Sequence, residues 1–105
     1  MSSKTNTGNF FEDFQIGQEI IHATPRTVTE GDVSLYTALY GMRFAVQSSD
    51  ALAGDLGLPG APIDDFLVFH IVFGKTVPDI SLNAVANLGY ANGVFGAPVY
   101  PGDTL

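Results

Sequence analysis

The sequence predicts a small α+β domain assembled around one apolar helix, and three observations carry that expectation. A run from Ile63 to Phe73, bracketed by helix caps, is apolar on nearly every side, the pattern of a helix buried in a core. Leu82, Ala84, Ala86, Leu88 and Tyr90 alternate with Asn83, Val85, Asn87 and Gly89, which is the period of a strand. The chain has 105 residues, room for one domain and little else.

The elements follow in order. Residues 1–9 are Ser, Thr, Asn and Gly without periodicity and read as a flexible lead; the domain spans residues 10–105. Phe10, Phe11 and Phe14 form an aromatic cluster closed by a turn at Gly17. Glu19 to Val28 mixes β-branched and polar residues, a strand that Pro25 confines to an edge. Thr29 with Asp32 three residues on reads as a capping box, and the helix behind it ends at Gly41. Ser49 caps a short second helix from about Asp50 to Leu56, stopped by Gly57. In the apolar run, Pro62 takes a first-turn position. Asp64 and Asp65 complement the positive end of the helix dipole and Lys75 the negative end. The run falls short of the ~20 residues that a membrane span requires. Asn92-Gly93 marks a turn or bulge before Val94 and Phe95.

Composition excludes several classes of function. The chain is 46% hydrophobic and only 14% charged, with a net charge of -7. Disorder requires the opposite balance. Nucleic acid requires clustered cations, and Lys4, Arg26, Arg43 and Lys75 are scattered; an anionic membrane is disfavoured for the same reason. The absence of cysteine removes disulfides, thiolate metal sites and cysteine nucleophiles, and fits a reducing, cytoplasmic setting. A small domain exposes much of its surface, and surface normally carries charge. So poor a supply of charge predicts that a large apolar face meets other protein.

Candidate chemistry is sparse. His22 lies on the edge strand and reads as a partly exposed, non-catalytic imidazole. His70 sits mid-helix, either as a satisfied core histidine or as an acid, base or hydrogen-bonding group. Asp64 and Asp65 are neighbours, so on a helix they point about 100° apart rather than converging as a pair; capping is their plainer role. The two histidines are too far apart for metal-ligand spacing, and no Gly-rich phosphate loop or nucleophile elbow occurs.

A resemblance adds what the residues alone do not. Phe11-Glu-Asp-Phe-Gln-Ile-Gly-Gln18, Arg26-Thr-Val-Thr-Glu-Gly-Asp32 and the closing Phe95 to Leu105, with its Pro98-Val-Tyr-Pro-Gly-Asp-Thr-Leu105, resemble the MaoC-like (R)-specific enoyl-CoA hydratases. The stretch from Asp64 to Tyr90 is similar to the N-terminal part of the mesaconyl-CoA hydratases, also called β-methylmalyl-CoA dehydratases. The resemblance implies a hotdog fold, a long helix wrapped by an antiparallel sheet, here truncated before its last strands. It implies a hydro-lyase of two fused hotdog units that reversibly hydrates a branched, unsaturated dicarboxylic acyl-CoA. No metal or redox cofactor is implied, CoA being part of the substrate. The implied partners are the acyl-CoA thioester and a second hotdog unit, in the same chain or as a homo-oligomer.

The family's catalytic loop, Gly-Asp-x-Asn-Pro-x-His, is here Gly41-Met42-Arg43-Phe44-Ala45-Val46-Gln47. Met42 stands at the family's Asp and Gln47 at its His, and neither exchanges a proton at a useful pKa. The resemblance therefore implies a half without catalytic residues that lines the pocket. Arg43 is the candidate partner for a substrate carboxylate or CoA phosphate, with a plain surface arginine as the alternative. Asp64, Asp65, Phe66 and His70 are candidate pocket-lining residues, each with a structural reading beside it. Two other functions stay open: a stand-alone acyl-CoA-binding or dimerisation module, and a hotdog thioesterase using Asp64 or Asp65 as its base.

Overall fold

A computed structural model of the chain describes residues 8–41 and 43–105; most of the polar lead and Met42 lie outside the described residues. Three α-helices organise them: α1 (Glu30–Tyr40), α2 (Asp50–Asp55) and α3 (Asp65–Thr76), with short 3₁₀ turns at Phe11–Asp13 and Ala45–Gln47.

α1 begins where its caps dictate. The Thr29 hydroxyl accepts from the Asp32 N–H at 3.2 Å and the Asp32 carboxylate accepts from the Thr29 N–H at 2.9 Å, the reciprocal bonds of a capping box. It ends at Gly41, whose φ of 68° suits a residue without Cβ and whose N–H reaches the Thr37 carbonyl. Asp32 also receives the Arg26 guanidinium through two bonds, 2.7 and 3.1 Å. Those bonds, then the Thr29 N–H, lower its pKa from 3.8 to about 2. A depressed carboxylate stabilises the fold above its unfolded pKa and loses that contribution as pH falls through the folded value. Urea midpoints of the native protein and of Asp32→Asn should therefore differ at pH 5 and converge between about pH 4 and pH 2. A constant difference across that window would remove the ion pair from the account.

α2 is capped by Ser49, which accepts from the Leu52 N–H at 3.1 Å. Asp50 accepts from the Ala61 N–H at 2.9 Å and so turns the loop after α2 back toward α3. α3 starts later than the position of Pro62 suggests: Asp64 is its N-cap, with Oδ1 2.8 Å from the Phe66 N–H. Pro62 precedes the cap, because an Asp side chain satisfies a free N–H that proline cannot help.

The C-terminal segment closes against the chain's beginning. Tyr100-Pro101-Gly102-Asp103 forms a turn with a 3.0 Å Asp103 N–H to Tyr100 carbonyl bond and Gly102 at φ 99°, the Pro-Gly order of a type II turn. The Gly102 N–H donates to the Val28 carbonyl while the Val28 N–H donates to the Asp103 carbonyl. Two residues thus oppose one, a glycine bulge. Beyond it Arg26 and Leu105 exchange both backbone bonds at 2.9 Å, and Thr27 pairs with Thr104.

The expected strands are where the structure departs from the sequence reading. Of Glu19 to Val28, only Thr27 sits in a β-bridge, since Pro25 has no N–H to give and the upstream residues meet no partner strand. Leu82 to Tyr90 shows no ladder among the described residues, and from Val85 to Pro98 no N–H or carbonyl takes part in a backbone–backbone bond. The alternation is present; a neighbouring strand is not. The buried central helix is also corrected. No residue of α3 is fully buried, and His70 is exposed. Among the described residues the apolar core consists of Val28, Ala53 and Ile63. The accessible surface is 7831 Å², against about 5,700 Å² for a compact monomer of this mass. The apolar faces exist as the pattern predicts, and they are uncovered.

His22 is tied down: its Nδ1 lies 2.7 Å from Asp79 Oδ2. Gly8 and Asn9, the described end of the lead, pack on the same turn after α3, with Asn9 donating to the Asp79 carbonyl at 2.6 Å.

Candidate functional site

Between the C-terminal end of α1 and the first turns of α3 lies a cleft of about 330 Å³ lined by Tyr36, Tyr40, Gly41, Arg43, Asp64 and His70. Each wall has a local cause. Tyr36 and Tyr40 are one helical turn apart, so their rings meet at 5.0 Å on one face of α1. Gly41 ends the helix, and the chain leaving it brings Arg43 across to α3. There the guanidinium carbon lies 4.5 Å from the Phe66 ring centroid and 5.4 Å from that of Phe44. Phe66 and His70 are four residues apart and share a face.

The electrostatics of the cleft are mixed. Arg43 makes no hydrogen bond or ion pair among the described residues; it lies on aromatic faces, which attract its charge and leave its N–H edge available. Asp64 is 3% exposed, and its charge is held by the Phe66 N–H and the helix N-terminus. Burial raises the pKa of the Tyr36 phenol, the nearby Asp64 carboxylate and Tyr40 adding to it and Arg43 opposing. Tyr36 therefore stays protonated at neutral pH and can donate a hydrogen bond.

Four of the five residues singled out in the sequence come together here: Arg43, Asp64, Phe66 and His70. Asp65 does not. It lines a separate 210 Å³ cleft with Gln47, Ile63 and Phe95. Tyr36 and Tyr40 had been read only as part of the apolar face of α1; their spacing from Gly41, which turns the chain back over them, was the available signal. Of the two residues at the family's catalytic positions, Met42 lies outside the described residues. Gln47 is 8% exposed, and its Oε1 is shut away from solvent without a hydrogen-bond partner among the described residues. Among the described residues no three His, Cys, Asp or Glu side chains cluster as metal ligands, and no helix is long and apolar enough to cross a membrane.

No protein-family model matches the chain. Individual proteins do. It is 76% identical over 105 residues to the β-methylmalyl-CoA dehydratase of Chloroflexus aurantiacus and 63% identical over 102 residues to the mesaconyl-CoA hydratase of Cereibacter sphaeroides. It superposes with a TM-score of 0.89, at 76% identity and over 98% of its length, on the crystal structure of a MaoC-domain dehydratase from Chloroflexus aurantiacus. The chain belongs to the MaoC-like hydratases. It spans about 30% of the length of each curated relative and 29% of the crystallised chain. For a MaoC-like chain the helices fall where the sequence reading places them, and the cleft lies beside the loop that carries the family's catalytic positions.

Proposed function

We propose that this chain is a non-catalytic, pocket-lining hotdog portion of an enzyme that adds water reversibly to a branched, unsaturated dicarboxylic acyl-CoA, of the mesaconyl-CoA and β-methylmalyl-CoA type. The observation that carries the reading is Arg43, laid on Phe66 with its donors unclaimed in a cleft that also presents the Tyr36 hydroxyl. A planar guanidinium with free N–H groups is matched to a carboxylate, and a dicarboxylic acyl chain has one carboxylate left over after thioester formation.

In the reaction, a base takes a proton from water as its oxygen bonds to the β-carbon. An acid delivers a proton to the α-carbon, and donors to the thioester oxygen hold the enolate-like charge. An amide at position 47 and a thioether at position 42 supply neither acid nor base. These residues instead hold the far carboxylate so that the double bond meets catalytic groups provided elsewhere. The uncovered surface supports an assembled state: the excess over a compact monomer, about 2,000 Å², is on the scale of a stable protein interface. The partner is a second hotdog unit, in the same polypeptide or as a further subunit.

The test is mesaconyl-CoA hydration followed by ultraviolet absorbance on the purified 105-residue chain, with sedimentation run in parallel. No turnover is expected. Turnover by a stable dimer of this chain would overturn the non-catalytic assignment and favour a self-sufficient module.

A further inference from the structure

We propose that a second cleft, sharing His70 with the first, is an anion subsite for the phosphate-bearing end of the ligand, with Lys75 as its principal charge. The inference rests on the acyl-CoA reading and goes beyond it by giving the ligand's two anionic ends separate places. This cleft measures about 500 Å³ and is lined by Thr24, Arg26, His70, Ile71 and Lys75 among others.

The distribution of charge carries the proposal. The chain has four Lys and Arg residues and a net charge of -7, yet three of those four line two clefts that meet at one histidine. Lys75 makes no hydrogen bond or ion pair among the described residues. Arg26 already holds Asp32, so Lys75 is the uncompensated cation, with the Thr24 hydroxyl and the His70 ring available as donors. The two clefts also differ in kind. Asp64 lines the first, so Arg43 acts in a field already part-neutralised, which suits a single carboxylate. No carboxylate lines the second, and a group with more than one negative charge is better placed there.

Calorimetry on the protein with two separate probes tests this. One is 3′-phosphoadenosine 5′-diphosphate, the nucleotide end of CoA; the other is mesaconate. Lys75→Met should weaken the nucleotide about tenfold, the scale of one charge-assisted hydrogen bond, and leave mesaconate unchanged; Lys75→Arg should restore it to within about twofold. Inorganic pyrophosphate showing the same dependence on Lys75 would also support the subsite and assign its contact to the phosphates alone. Nucleotide binding that is absent, or indifferent to Lys75, overturns the proposal. Failure of mesaconate to bind while the nucleotide still depends on Lys75 would strike the acyl reading and leave the anion subsite standing.

Discussion

Replacing Arg43 by methionine in a hydratase that carries this chain is expected to raise KM for a dicarboxylic acyl-CoA by about 10- to 100-fold. That is the loss of charge-assisted hydrogen bonds of about 1.5–3 kcal/mol. Methionine keeps the apolar packing against Phe66 and Phe44 and removes only the charge and its donors. The effect should be selective: an unsaturated acyl-CoA ending in a methyl group offers the guanidinium nothing, so its KM should move less than twofold. Arg43→Lys should recover part of the loss, because an ammonium keeps the charge without the paired N–H geometry. Rates measured over a range of both substrates decide the matter. Equal loss for the two would mean that Arg43 supports the loop rather than the carboxylate, and the functional reading would fail at its main support.

How much of this was legible beforehand depended on whether a feature needs a neighbour. The three helices were readable because their signals are local. Thr29 with Asp32, Ser49 and Gly41 each satisfy or end a helix within a few residues, so the sequence contains both partners. Strands need a second strand, and the alternation from Leu82 to Tyr90 says nothing about where one is. The same distinction explains α3. Its all-round apolar pattern reports what the helix requires in the assembled protein, whereas its observed exposure reports what these 105 residues supply. Within the site, Arg43 and His70 were found as unusual residue types in telling places. Asp65 was misplaced because adjacency in sequence had grouped it with Asp64, although consecutive helical residues diverge by about 100°. Tyr36 and Tyr40 were overlooked because an aromatic in an amphipathic helix looks like core, and only the turn at Gly41 brings Arg43 and α3 beside them.

Asp64 links the fold to the site, and its substitutions should separate two roles. Asp64→Ala removes the cap of α3 and leaves the Phe66 N–H unpaired in a buried place. The cost should be about 2 kcal/mol, read as a lower urea midpoint. Asp65→Ala, a change at a partly exposed position whose side chain caps nothing, should cost less than about 0.5 kcal/mol. Because the capped turn also sets Phe66, on which Arg43 rests, Asp64→Ala should raise KM for the dicarboxylic substrate along with its loss of stability. Asp64→Asn behaves differently: an amide oxygen can still accept from the Phe66 N–H, so most of the stability remains. The negative charge beside Arg43 is gone, however. Carboxylate binding should then tighten by about two- to fivefold, the range of a partly screened charge interaction. A protein that loses stability with Asn as it does with Ala would show that the charge on Asp64, rather than the hydrogen bond, holds the helix start. A protein that stays stable but binds the dicarboxylic substrate no better would place the acyl carboxylate outside the reach of Asp64, and hence outside this cleft.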